Sequence, residues 1–89
     1  MANHPSALKR ARQSERRRRR NLRHKTKVRS LVKAFRGAVA SGDKTQIQKA
    51  LGDAVRAIDR AARRGVLKAN TASRTVSRLT TAASRSAAA

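Results

Sequence analysis

Hydrophobic residues recur every three or four positions in three stretches of the chain, which is the period of an amphipathic helix. The stretches are residues 28–39, 47–62 and 72–83. No stretch alternates hydrophobic and polar residues as a half-buried strand does, so the pattern predicts an all-α fold. The three predicted core stripes consist of Val28, Leu31, Val32, Phe35 and Val39, then Ile47, Leu51, Ala54, Val55, Ile58 and Ala61 or Ala62, and then Ala72, Val76, Leu79 and Ala83.

Residues that favour helix ends separate the three stripes. Gly42 is a natural terminator of the first helix, and Asp43 is a suitable N-cap for the second. Gly65 follows two arginines and suits the position after a helix end, where cations also meet the negative end of the helix dipole. Asn70 is a candidate N-cap for the third helix. The predicted helices span residues 6–41, 43–64 and 70–86.

Short links between three amphipathic helices predict an antiparallel three-helix bundle, with residues 1–89 as a single domain. At 1.5 Å per residue, the first helix is about 50 Å long and the second about 33 Å. The first helix is therefore predicted to overhang the bundle by roughly 15–20 Å at its N-terminal end, which is the highly basic half.

Positive charge dominates the chain, because Lys and Arg number 24 against four Asp and Glu, for a formal net charge of +20. Residues 1–36 hold 14 of the basic residues and one acid, Glu15. A chain so charged repels itself at low salt, so a polyanionic partner is expected to stabilise the fold. The candidates are nucleic acid and an anionic membrane.

Five consecutive arginines, Arg16 to Arg20, are the densest part of this charge. At about 100° per residue they extend around the whole helix, so they leave no hydrophobic side for a core. Acidic partners one turn away are also missing from the pattern. We predict that this segment is disordered or frayed in the free protein and helical when phosphates neutralise it.

A helix that is charged on all sides suits a crevice between several phosphate backbones. A helix that recognises bases in one groove needs its base-contacting side chains on one face. The only aromatic residue, Phe35, is assigned to the core, so there is no stacking platform for single strands. The remaining modes are binding to folded RNA and binding to DNA without sequence preference. The candidate contacts in and after the run are Arg16, Arg17, Arg18, Arg19, Arg20, Arg23, Lys27 and Arg29, with Arg63 and Arg64 at the end of the second helix.

Catalysis and cofactor binding are not predicted. The hydroxyl groups lack a neighbouring base, and the chain has only four acids and too little length to form a pocket, so it is not expected to be an enzyme or to bind a small-molecule substrate. His4 and His24 have no acidic or thiol partners for a metal site, and no cofactor is expected. No hydrophobic run is long enough to span a membrane. A mitochondrial transit peptide is disfavoured, because the basic run continues directly into the core pattern.

Several motifs along the chain resemble one family, the bacterial small-subunit ribosomal protein numbered twenty. The opening MANHPSALKRARQS carries this resemblance, as do Asn21 after the basic run and the Gly42-Asp43 link. So do the stretches IDRAARRG at 58–65 and NTASRTVSRL at 70–79. The resemblance covers essentially the whole chain, and it also implies a three-helix bundle with a long first helix.

The resemblance further implies direct binding to 16S ribosomal RNA early in assembly, at the lower body of the small subunit. The expected location is the cytoplasmic ribosome. By motif position, it places RNA contacts on the first helix and its lead-in, and on the third helix. These residues are Asn3, Ser6, Lys9, Arg10, Arg12, Gln13, Ser14, Asn21 and Lys25, and then Lys68, Asn70, Arg74, Ser77 and Arg78.

Two other function classes stay open on the residues alone. A histone-like protein that binds DNA without sequence preference has the same composition, although the chain lacks an obvious exposed wedge for kinking a minor groove. A cationic membrane-active helix is disfavoured, because the arginine-rich half has almost no hydrophobic face.

Overall fold

The fold is a computed structural model that describes residues 5–88. It contains three α-helices: α1 Pro5–Ser41, α2 Lys44–Arg63 and α3 Ala69–Ala88. Within residues 5–88 there is no strand, so the predicted all-α fold with a long first helix is confirmed. The helix bounds lie within two residues of the predicted ones.

The link between α1 and α2 follows the predicted capping. Gly42 has φ +76°, and its N–H donates to the Ala38 carbonyl at 3.1 Å, which ends α1. The Asp43 side chain then accepts hydrogen bonds from the N–H groups of Thr45 and Gln46, at 3.0 and 3.4 Å. Asp43 is therefore the N-cap of α2, as its position in the sequence predicts.

The end of α2 is a Schellman motif centred on Gly65. Gly65 has φ +74°, and its N–H donates to the Ala62 carbonyl at 3.0 Å. The Val66 N–H donates to the Ala61 carbonyl at 2.9 Å. Both bonds satisfy carbonyls that a helix end leaves unpaired, and they require the left-handed backbone that glycine adopts without strain.

Replacing Gly65 with alanine is expected to lower the free energy of unfolding by about 1 kcal/mol, because a Cβ disfavours its positive φ. The matched control is Gly37→Ala. Gly37 also has open space around its would-be Cβ, but it lies inside α1 at an ordinary helical φ. That change is expected to raise the free energy of unfolding by about 0.5–1 kcal/mol. Urea unfolding followed by circular dichroism measures both, and shifts of the same sign would contradict this account of Gly65.

The start of α3 differs from the prediction. Asn70 does not cap the helix but lies exposed in its first turn, because α3 already begins at Ala69. The Lys68 carbonyl accepts the first helical hydrogen bond, from the Ala72 N–H at 2.9 Å. The Leu67 side chain packs against the core, and this fixes the chain just before the helix. The helix therefore starts earlier than the capping rule placed it.

The core lies between α2 and its two neighbours, and it consists largely of small side chains. Phe35 and Ile58 are the largest fully buried residues. The predicted stripes supply most of the core and of the half-buried side chains packed against it, but Val55 is half-buried outside this cluster. Two alanines outside the predicted stripes, Ala38 and Ala57, are buried instead. Close packing of alanines brings the helix backbones together.

The overhang of α1 is longer than predicted. The helix has 37 residues and α2 has 20, which gives lengths of about 55 Å and 30 Å. The difference of about 25 Å exceeds the predicted 15–20 Å, because α1 begins one residue earlier than predicted and α2 loses one residue at each end. The molecule is accordingly elongated, with extents of 65 × 22 × 14 Å.

Candidate nucleic-acid interface

The basic overhang, which we define as residues 5–23, projects beyond the bundle with nearly all its side chains in solvent. Only Glu15 and Asn21 in this segment are half-buried, and the rest are exposed. The cations predicted to contact RNA therefore point in all directions around one helix. Those on or just after the overhang are Lys9, Arg10, Arg12, Arg16, Arg17, Arg18, Arg19, Arg20, Arg23, Lys25, Lys27 and Arg29, and Ser6, Gln13 and Ser14 are exposed beside them.

The arginine run is helical in the structure and has one acidic partner, which corrects the expectation of none. Glu15 lies 3.6 Å from Arg18 and 3.3 Å from Arg19. These pairs are exposed, so each stabilises the helix by at most about 0.5 kcal/mol. Within residues 5–88, Arg16, Arg17 and Arg20 have no carboxylate within 4 Å. Most of the run's charge thus remains uncompensated, and its loss of helix in the free protein stays a prediction.

Two large hydrophobic side chains, Leu8 and Leu22, are 46% and 60% exposed on the overhang. They are 14 residues apart, or about 21 Å along the helix, so they form no continuous hydrophobic face. This separation disfavours the membrane-active interpretation. Among the described helices, none combines the length and hydrophobicity that crossing a bilayer requires.

The end of α2 adds cations beside α1. Arg63 and Arg64 are exposed there, as an RNA contact requires. Partial burial lowers the pKa of the His24 imidazole, and the nearby charges of Arg64, Arg20, Arg60 and Lys27 lower it further. Arg60 lies in the last turn of α2 and Arg64 is its C-cap, and Arg60 lines one cleft with Lys27 of α1, so the end of α2 lies against the middle of α1.

His24 makes the stability of the free protein depend on pH. Its pKa is below the unfolded value of about 6.5, so the unfolded chain binds more protons just below that pH. Stability is therefore expected to fall as the pH drops through about 6.5. Urea unfolding at several pH values measures this loss, which His24→Gln should reduce. His4→Gln is the control, and an equal reduction in that variant would contradict the assignment to His24.

Four of the predicted contacts share one exposed face of α3, and the fifth, Lys68, lies just before the helix. Lys68, Asn70, Arg74, Ser77 and Arg78 are all exposed. The last four are spaced so that they lie on one side of α3, away from its buried residues. Asn3, the remaining predicted contact, lies outside the described residues.

The structure brings two of the predicted groups close together. The end of α2 lies beside the base of the overhang, since Arg60 and Lys27 line one cleft, and α3 begins five residues after Arg64. The base of the overhang and the first turn of α3 therefore meet at the same end of the bundle. Sequence reasoning missed Arg60, because its position beside α1 depends on packing between distant segments.

Comparison with known proteins agrees with this architecture. The sequence profile of the family described as Ribosomal protein S20 matches residues 2–84. A relative from Anaeromyxobacter dehalogenans, named small ribosomal subunit protein bS20, is 51% identical over 89 residues, which are 100% of this chain and 97% of the relative. The chain belongs to the ribosomal protein S20 family.

Other members of the S20 family match nearly as well. Proteins with the same name from Syntrophobacter fumaroxidans and Syntrophotalea carbinolica are 49% and 52% identical over 79 residues. The match covers 89% of this chain in both cases, and 92% and 91% of those relatives. Membership of the S20 family makes the protein a structural component of the ribosome and not an enzyme. The resemblance inferred from the motifs is thereby confirmed, whereas the individual contact residues stay predictions.

Proposed function

We propose that the protein binds 16S ribosomal RNA directly as part of the small ribosomal subunit, and that it holds separate RNA helices together during assembly. The observation that carries this proposal is the basic overhang, a helix of about 28 Å that is exposed and positively charged on all sides. The relatives are named small ribosomal subunit protein bS20, which supports the choice of subunit.

The proposed mechanism is electrostatic. Arginine and lysine side chains neutralise phosphates of neighbouring RNA helices, and the counterions released from the RNA drive binding. Arginine suits this task, because its planar guanidinium donates paired hydrogen bonds to phosphate oxygens. A helix with cations on opposite sides contacts two backbones at once, so it reduces the repulsion between them.

The bundle contributes a second point of contact. The exposed face of α3 carries Arg74 and Arg78 beside polar side chains, with Lys68 just before the helix, and it starts at the end of the bundle from which the overhang projects. The Phe35 side chain anchors α1 in the core. This packing fixes the direction of the overhang relative to α3. The protein therefore presents two charged surfaces in a defined arrangement, which suits RNA helices that are themselves held at a defined angle.

A competition experiment tests this function. Labelled 5′ domain of 16S ribosomal RNA is titrated in a filter-binding assay at about 150 mM salt with magnesium, where exposed charges are largely screened. Excess duplex DNA is added as competitor, and the same RNA without magnesium serves as the unfolded control. Tight binding that survives the DNA and requires magnesium supports recognition of folded RNA. Displacement by an equal mass of DNA favours a histone-like protein instead.

A further inference from the structure

Cations from two helices surround His24 where the end of α2 lies against α1. Arg20 and Lys27 lie one turn before and after it on α1, and Arg60, in the last turn of α2, lines one cleft with Lys27. Arg64, the C-cap of α2, is one turn after Arg60, and the charges of both act on His24. Each helix therefore presents its charges on one side. We call these five residues the junction cluster. Its four permanent charges repel one another, and an anion placed among them relieves that repulsion.

The carboxylates of α2 do not compensate this charge. Lys27 and Arg60 line a cleft of about 220 Å³ together with Asp53 and Arg56. Asp53, however, accepts a hydrogen bond from Arg56 at 2.8 Å, and it is seven residues before Arg60, or about 10 Å along the helix. Asp59 lines the groove between α2 and α3 instead. The part of the cleft lined by Lys27 and Arg60 is therefore positive.

We propose that the junction cluster is a binding site for one RNA backbone phosphate, and that His24 takes up a proton when this phosphate binds. The proposal rests on the proposed function, since it assumes that RNA is the ligand. It adds Arg60 and His24 to the contacts. A phosphodiester fits because arginine guanidinium groups and a lysine ammonium can donate hydrogen bonds to its two free oxygens. A protonated imidazole can also donate, through both ring nitrogens.

Proton uptake follows from the change in electrostatics around the imidazole. In the free protein the pKa of His24 is lowered by partial burial and by the neighbouring cations, so the ring is mainly neutral at pH 7. A bound phosphate introduces a negative charge and raises that pKa. One proton then moves from solvent to the unprotonated ring nitrogen, and no covalent bond breaks. Binding should therefore tighten as the pH falls, by at most about tenfold per pH unit.

Isothermal titration calorimetry measures this proton directly. The 5′ domain of 16S ribosomal RNA is titrated with the protein at about pH 6.5, near the unperturbed pKa of histidine, in two buffers with different ionisation enthalpies. The difference in heat gives the number of protons taken up. We expect the wild type to take up several tenths of a proton more than His24→Gln, since a single site contributes at most about one.

The chain has only two histidines, so His4→Gln is a matched control and should behave as the wild type does. Protons taken up by RNA bases cancel in the comparison. Arg60→Gln, which removes a cation from α2 but leaves His24 in place, should weaken binding and reduce the uptake. Equal uptake by the wild type and His24→Gln would overturn the phosphate site while leaving RNA binding intact. A failure of the wild type to bind this RNA would overturn the proposed function and this inference together.

Discussion

Replacing the five arginines of the run with glutamine is expected to weaken binding to 16S ribosomal RNA by roughly 100- to 1,000-fold at about 150 mM salt. Each phosphate neutralised contributes about 0.7–0.9 to the slope of log affinity against log salt, so the slope should flatten by roughly four units. Glutamine keeps the helix propensity of arginine, and only Arg18 and Arg19 lose an ion pair, with Glu15. The change therefore removes charge with little effect on the fold.

A control variant with the same change in net charge distinguishes a specific role of the arginine run from an effect of total charge. Lys33, Arg36, Lys44, Lys49 and Arg85 are exposed cations outside the predicted contacts, and within residues 5–88 none of them has a carboxylate within 4 Å. Changing all five to glutamine also lowers the net charge by five. Filter binding across a range of salt should show a much smaller loss for this control. Equal losses in the two variants would mean that the run acts only through total charge.

Changing Phe35 to alanine is expected to lower the free energy of unfolding by about 3–5 kcal/mol. Phe35 is 1% exposed and belongs to a core cluster with Ile58, Leu79 and several alanines. The alanine side chains are too small to fill the cavity that loss of the Phe35 ring would leave. Domains of this size are stable by only about 5 kcal/mol, so most of the stability of the bundle would be lost.

Urea unfolding followed by circular dichroism measures this effect, in salt of about 0.5 M so that repulsion between charges is screened. Leu22→Ala is the control. Leu22 is a large hydrophobic residue on the same helix, but it is 60% exposed, so its loss should cost less than about 0.5 kcal/mol. A Phe35→Ala variant as stable as this control would show that Phe35 does not anchor α1 in the core.

Helix type and order could be predicted from the sequence because their signals are local. Asp43 and Gly65 sit at the positions that capping requires, and the structure uses both. The start of α3 could not be predicted from capping, because the packing of Leu67 fixes the chain before Asn70 is reached. Ala38 was not predicted as a core residue, because alanine is common on both the buried and the exposed faces of helices, so the sequence pattern does not distinguish them.

The same distinction applies to the candidate interface, where features set by neighbouring residues could be predicted and contacts between distant segments could not. The charge on all sides of the overhang follows from five consecutive arginines, and any helix built from them has it. The partner of Arg18 and Arg19 was overlooked, although Glu15 is within one turn of both. The approach of Arg60 to His24 could not be predicted, because it depends on how α2 packs against α1 across 36 residues of sequence. Tertiary contacts of this kind leave no periodic signal.

Directed hydroxyl-radical probing of the complex tests most directly whether the overhang and α3 both lie against 16S ribosomal RNA. The chain has no cysteine, so an iron chelate can be attached at a single introduced one. Ser14→Cys places it on the overhang, Ser73→Cys on α3 and Gln48→Cys on the N-terminal half of α2, all at exposed positions. We expect strong RNA cleavage from Ser14→Cys and Ser73→Cys, in different RNA helices, and little from Gln48→Cys. Cleavage only from Gln48→Cys, or none from Ser14→Cys in a complex that forms normally, would contradict this arrangement.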